Sequence, residues 1–535
     1  MTLQEFLAIY TVSDPAGGRL LKVSTTGGVD DPENYMTISD PAGGRALKVS
    51  LAGGGGGVPT TRTLTINGVS YDLSADRSWT VAAGAVNWSE TFSSATQATS
   101  QWTPNNAAAN VNAAITPKGN GSIVAQIPDG TTVGGDARGQ FAVDFQRSRT
   151  NANQVASANA SGIFNAYQSR NASPGAFIGG GGQHTITANP TGGNDVIVGG
   201  LANSILSGNG PHFLGGGILN TIFSFVQDSV LVGGRNNGVG GTACVLGGGN
   251  GNNLGGSGGV LGGGYTNTSS GSYGFLGGGQ SNLVSGQWAI VVGGTQNQAT
   301  ANYAVSVGGF QNLATAVNSA IGGGDRNTAS GQNSVIPGGG DHIASGTYST
   351  ISGGWASRAT AQYSTVKGGV LASASLYGQQ VFAAGRFGGV GVFGDAQAHE
   401  LIWRREITGS VQTELFLDGA SVRAILPGTN SIWQGIVDIS AICTNAGGGS
   451  TVVGEVEATS YKVTIKRIGT NTVLVGTVQE IGTTNADASM ATGVFTIDND
   501  DTNESLRIQY TPPTTADATT VIRVLATFRG TQIQY

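Results

Sequence analysis

An all-β, elongated chain built around a parallel solenoid is the fold class this sequence predicts, and three observations predict it. A 15-residue period runs from Leu231 to Leu376, with an aliphatic residue at nine of the ten positions Leu231, Leu246, Leu261, Leu276, Val291, Ser306, Ile321, Ile336, Ile351 and Val366. Seven asparagines, Asn237, Asn252, Asn267, Asn282, Asn297, Asn312 and Asn327, hold the same spacing. Between the two columns a Gly-Gly pair recurs, as at Gly248-Gly249, Gly263-Gly264 and Gly278-Gly279. A short fixed period with stacked residue types means that each repeat is one coil, laid on the coil before it.

Composition bounds the rest. Gly supplies 91 of 535 residues and charged residues only 10%. Because the glycines keep register with aliphatic residues, they read as corners of a tight coil and not as disorder. The net charge is −6 with no basic run, which argues against nucleic acid as a partner. Cys244 and Cys443 are too far apart in sequence to suggest a disulfide framework and read as free small hydrophobes. The N-terminus lacks the basic-then-apolar pattern of a secretory signal, and no stretch approaches 18 apolar residues. The expectation is a protein made in a cytoplasm and not inserted in a membrane.

Five regions follow in order. Residues 1–58 carry a duplication: SDPAGGRLLKVS (Ser13–Ser24) returns as SDPAGGRALKVS (Ser39–Ser50), each a turn signal followed by a short strand, before the glycine linker Gly53–Gly57. Residues 59–114 form a small β region with Asn67-Gly68 as a hairpin turn. Residues 115–177 are a transition, and 178–388 are the solenoid. Its first coils, around Gly199, Gly215 and Gly233, are spaced 16 and 18 apart. Residues 389–535 lose the glycine repeat. Alternation such as Tyr461, Val463 and Ile465 against Lys462, Thr464 and Lys466 predicts an antiparallel β-sandwich.

Within a coil numbered from Leu246, positions one, nine and fourteen are aliphatic or small and line the interior. Position fifteen (Phe275, Ile290, Val305) and position thirteen (Tyr273, Trp288, Tyr303, Tyr348, Tyr363) face the other way. One strand per coil is then apolar on both faces, which a lone solenoid would leave in water. These eight residues are therefore the candidates for an interface between copies, and three chains about an axis is the expected closure. Asn252, Asn267, Asn282, Asn297, Asn312 and Asn327 are expected at a corner, where Asn tolerates positive φ and its amides bond along a ladder.

The units GGGDRNTASGQNSVIPGGG (Gly322–Gly340) and SGTYSTISGG (Ser345–Gly354) resemble the head repeats of trimeric autotransporter adhesins and the same repeats in bacteriophage tail-fibre and tail-appendage proteins. TLTINGVSYDLSADRSWTV (Thr63–Val81), IPDGTTVGGDARGQFAVDFQRSR (Ile127–Arg149) and FLDGASVRAILPGTNSIWQGIVDISAI (Phe416–Ile442) resemble the phage group. The resemblance implies a left-handed parallel β-roll, three chains per shaft, and a virion protein made in the host cytoplasm. Its N-terminus would meet other tail or baseplate proteins, and its distal β-domain a host surface glycan or protein. An autotransporter would need a signal peptide and a membrane anchor, and neither is expected here.

No catalytic constellation can be read from the sequence, and the expectation is a structural, adhesive fibre that is not an enzyme. The alternatives are a polysaccharide-depolymerising tailspike and a capsid or tail decoration fibre without a receptor. A glycosidase needs two carboxylates flanking the bond; between Leu231 and Leu376 only Asp325 and Asp341 are acidic, with Arg326 available to pair with them. Trp355 is an exposed-aromatic candidate. Asp498, Asp500 and Asp501 read as a solvated turn and not a calcium loop, and His184, His212, His342 and His399 have no ligand spacing, so neither metal nor cofactor is expected.

Overall fold

The structure is a computed structural model describing residues 117, 119–188, 193–206, 210–387 and 393–534, together with the backbones of seven strands in the first 104 residues. The glycine linker Gly53–Gly57, the Asn67-Gly68 turn and most of the 1–58 segment lie outside the described residues. The chain divides into two units, Met1–Ile115 and Thr116–Tyr535.

In the first unit, Lys22–Thr26, Tyr35–Ser39, Ala46–Ser50, Thr63–Ile66 and Val69–Asp72 form one antiparallel sheet in chain order. The duplicated Lys-Val-Ser segments fall in its first and third strands, on either side of Tyr35–Ser39. Ile66 lies opposite Val69, as a two-residue hairpin turn requires. Trp88–Phe92 and Ser100–Pro104 pair as a separate ribbon.

The second unit is a parallel β-solenoid followed by antiparallel sheets. Each regular coil has two short strands. Positions fifteen and one, such as Val260–Leu261, join the first sheet; positions eight and nine, such as Thr268–Ser269, join a second sheet of 14 strands. A third wall is a column of single parallel bridges at position five, from Leu201 through Tyr265, Phe310 and Trp355 to Val370. Parallel pairing begins at Ile123–Val124 with Val143–Asp144, inside the region the sequence assigns to a transition. The early coils advance by 17 residues from Val196 to Phe213 and again to Val230, not by the 16 and 18 that their glycines suggest. Gly215 sits one position earlier in its coil than Gly199 does.

Leu246, Leu261, Val291 and Ile351 at position one, Leu254 and Ala299 at position nine, and Cys244 and Ala289 at position fourteen are all fully buried. The asparagines are not at an outer corner. They are buried and keep negative φ; positive φ falls on the residue before each, as at Thr266, Ser281 and Gln296. The interior has backbone groups to satisfy, and the Asn amide does it. Asn282 Nδ2 donates to Gly278 O and Gly294 O, both at 2.9 Å, and Asn282 Oδ1 accepts the Asn297 N–H at 2.8 Å. Repetition coil after coil makes a ladder in which each of these asparagines is bonded to the coils on either side.

The recurring Gly-Gly has its cause beside this ladder. The second glycine, as at Gly279 (φ +90°), would carry a Cβ into Gly294 O of the next coil, so only glycine fits.

The shaft sheet does not end in a free edge. Thr365–Val370 pairs in parallel with Gln380–Ala384, which pairs antiparallel with Ala396–Thr408. From there the sheet continues through Val521–Gln534, Asn430–Asn445 and Val456–Ile468. A smaller antiparallel sheet, centred on Ser505–Thr511 with Val494–Asp500 and two short strands, shares one core with it. Trp403, Trp433, Tyr510 and Phe528 are the largest side chains buried there. The continuation of the first sheet into these strands removes the open edge that would otherwise template aggregation. At the last strand of the second sheet, the Gln397 side chain bonds the N–H and carbonyl of Ser373.

Candidate binding surfaces on the roll and the terminal domain

The outer face of the first sheet is an apolar column. Phe177, Phe213, Val245, Val260, Phe275 and Val335 are exposed, with Val196, Val230, Ile290 and Val305 half-exposed between them. Strand alternation sends position fifteen outward because position one must point in. The outer face of the second sheet is polar at most coils, including Asn253, Thr268, Gln298, Thr328 and Arg358. Water therefore contacts one polar flank and one greasy one.

Position thirteen behaves differently from the expectation. It is not part of the strand but the last residue of a turn, with a left-handed backbone: Tyr273 (φ 57°), Trp288 (53°), Tyr303 (59°), Tyr348 (59°) and Tyr363 (59°). Coils lie one strand spacing apart, about 4.8 Å, so successive rings lie face to face. Tyr273–Trp288 and Trp288–Tyr303 stack with centroids 5.4 and 5.2 Å apart, as do Tyr348 and Tyr363 at 5.2 Å. Asn318 and Asn333, bonded to each other at 3.0 Å, separate the two groups. The sequence therefore joined two features: the strand residues Phe275, Ile290 and Val305 form one column, and the five aromatics form another on the neighbouring turn.

Asp325 and Asp341 are brought together by one cation. Arg326 reaches Asp325 Oδ2 at 2.8 Å and makes a forked contact with Asp341 at 2.7 and 3.0 Å. The Arg326 hydrogen bond holds the Asp341 carboxyl below its usual range. A glycosidase acid needs the opposite shift. Trp355, 45% exposed, lies over Gly340, and the Arg326 guanidinium carbon is 5.8 Å from its ring centre.

The terminal domain bears two open cavities. One, of about 460 Å³, lies where the roll meets the domain and is lined by Tyr363, Tyr377, Gly378, Ile402, Arg404 and Leu417. Tyr377 is edge-on to Tyr363, 5.4 Å away, and packs against the domain core. The other, of about 710 Å³, lies against the large sheet and includes Arg404, Arg405, Glu406, Asp418, Ile442, Arg523 and Leu525. Arg404 lines both. Its guanidinium donates to Asp418 O at 3.2 Å, and Arg405 donates to Gly419 O and Ala420 O. Among the described residues neither arginine makes an ion pair, whereas Arg523 is paired with Glu406 at 2.8 Å. The Asp418 carboxylate is committed to its own turn. Burial opposes its charge, but N–H groups of Val422, Ser421 and Ala420 outweigh that and lower its pKa to about 2.

The remaining titratable groups are structural. His342 takes the Asn position of its coil, accepting the Ser357 N–H on Nδ1 at 3.1 Å; burial lowers its pKa. His184 does the same for Asn203. Burial lowers His212, but the hydrogen bond and charge of Asp195, 3.0 Å away, outweigh it and raise the net value. Burial raises Glu457, partly offset by a hydrogen bond from the Tyr510 hydroxyl at 2.9 Å. The acidic residues expected in a solvated turn are divided. Asp498 and Asp500 lie in the Val494–Asp500 strand, where Asp498 pairs with Arg507 and Asp500 bonds Asn503. Asp501, in the turn that follows, accepts the Thr472 N–H. Among the described residues no group of three His, Cys, Asp or Glu is placed to hold a metal ion. No helix of the described residues is long and apolar enough to cross a membrane.

No protein-family model matches the chain, and no curated protein sequence matches it. Solved structures similar to parts of it include two phage tailspikes. The Acinetobacter phage vB_ApiP_P1 tailspike protein is 12% identical with a TM-score of 0.22, over 78% of this chain and 80% of that one. The Acinetobacter baumannii phage AM24 tailspike protein is 9% identical with a TM-score of 0.18, over 66% and 78%. One expectation is corrected on this finding. Both are tailspikes, the class set against the non-enzymatic reading above, so the assignment of the chain as a non-enzyme is withdrawn. Superpositions this partial carry no argument for a particular activity.

Proposed function

We propose that the chain is a virion-associated phage tail fibre or spike that works as a homotrimer and holds its terminal β-domain against the host surface. The apolar outer column of the first sheet, from Phe177 to Val335, carries the oligomeric part of this reading. A contiguous strip of that kind is rare on a monomer and is covered when copies pack about an axis. Phe275, Ile290 and Val305 are the contacts assigned to that packing. The likeness of the repeats to trimeric, left-handed rolls supports the same arrangement. The unbroken sheet from roll to terminal domain supports a stiff shaft that delivers its end domain at a fixed orientation. The N-terminal unit is assigned to the tail or baseplate, and the terminal two-sheet domain, read as a sandwich, to a host glycan or protein. Three weak sites on one shaft raise avidity through effective concentration.

The test is competition. The purified full chain, added to host cells before phage, is expected to reduce adsorption in proportion to its concentration. The same cells, assayed for new reducing ends in surface polysaccharide, sort the two forms of the reading. Blocked adsorption with sugar release assigns a depolymerising spike, and blocked adsorption alone assigns a binding fibre. Unchanged adsorption at saturating protein contradicts both.

A further inference from the structure

We propose that the junction between roll and terminal domain is a binding site for a carboxylated polysaccharide. This rests on the host-surface reading above and adds a ligand class and a location to it. The Tyr348–Tyr363 stack runs along the roll and ends edge-on at Tyr377, where the smaller cavity opens. Stacked, half-exposed rings offer flat apolar faces with a polar rim, which suits the C–H face of a pyranose. The cavity volume falls in the range of small-ligand sites.

Charge sets the class. Arg404 stands between the two cavities, and Arg405 lies beside it at the larger one. Their guanidinium groups hydrogen-bond only to backbone carbonyls among the described residues, and that of Arg405 also lies over the Phe416 ring, 5.4 Å from its centre. Of the two acids in the lining, Glu406 is paired with Arg523 and Asp418 is held in its own turn by three N–H groups. Two cations with no carboxylate partner, at the end of an aromatic track, leave donors for an anion supplied from outside. Arginine meets a carboxylate with two parallel N–H bonds, so a uronic or similar acidic sugar satisfies this geometry and a neutral one leaves it unfilled. Trp288 and its neighbours lie farther up the same turn column, beyond the polar break at Asn318 and Asn333.

The test uses the full chain against immobilised polygalacturonate, alginate, hyaluronan and polysialic acid, with dextran and mannan as neutral polymers. Binding to at least one acidic polymer is expected to exceed binding to both neutral ones by tenfold or more. Arg404→Gln is expected to remove at least a tenfold share of it, Arg404→Lys to restore part, and Tyr377→Ala to weaken it further. Arg404 is exposed, and an unchanged melting profile and sedimentation coefficient confirm that R404Q keeps the fold. Equal binding to neutral polymers, no binding to any acidic polymer, or full binding by R404Q overturns the inference. If the chain still blocks phage adsorption in that case, the function stands and only the ligand class and site fall.

Discussion

Asn282 shows how a single side chain sustains a coil. Itself buried, it bonds two carbonyls and one N–H. Asn282→Ala strands the Gly278 carbonyl and the Asn297 N–H, while Gly294 O keeps the Gln280 N–H at 2.9 Å. The cost is about 2–4 kcal/mol, read as a lower denaturant midpoint and faster hydrogen exchange at adjoining coils. Asn282→His is expected to cost less, because His184 and His342 already take that role. Equal losses for the two variants would contradict the ladder. His399 governs a different response. Burial lowers its pKa to about 3, and it lies against Trp433 and Phe528. A folded pKa below the ordinary 6.5 means that the unfolded chain binds the extra proton. Stability from this group is full above about pH 6.5 and is lost as pH falls toward 3. The melting midpoint of the wild-type chain should therefore fall between pH 7 and pH 4, and fall less in His399→Phe. The asparagine spacing was visible in the sequence. Its inward direction was not, since a period gives register without telling which face of a narrow coil closes on itself.

The turn column and the junction are where elements decide the outcome. A bulky residue at positive φ carries backbone strain, and stacking offsets it by about 0.5–1.5 kcal/mol for each ring pair. Trp288→Asn loses two stacks but places a residue that tolerates left-handed backbone, as Asn318 and Asn333 do. Its net effect on stability should stay within about 1 kcal/mol, with a loss of near-ultraviolet dichroism. A larger destabilisation would place Trp288 in a packed interface instead. Truncation after residue 386 uncovers the Gln380–Ala384 strand, whose partner is Ala396–Thr408. That product is expected to aggregate on light scattering while the full chain does not. Strand alternation alone placed Tyr273 and Phe275 on one face. It missed that the strand is only two residues long, so Tyr273 belongs to the turn. The cavity at Arg404 had no local signal at all, since Tyr377, Arg404 and Leu417 meet only through the register between roll and domain.

Repetition made the solenoid legible: a column of aliphatic residues every 15 positions leaves few other folds. Alternation in Tyr461–Lys466 pointed to antiparallel sheet, but pairing between strands as distant as Asn430–Asn445 and Val521–Gln534 carries no short-range mark. The claim on which the proposed function rests concerns the outer column of the first sheet. If copies of the chain cover it, a charge placed there must separate them, because burying an unpaired carboxylate is costly. Sedimentation equilibrium of the full chain at micromolar concentration, beside Ile290→Glu, tests this directly. The account predicts three times the 53.7 kDa chain mass for the wild type and a shift toward smaller species for I290E. A well-folded wild-type species at the single-chain mass would contradict it.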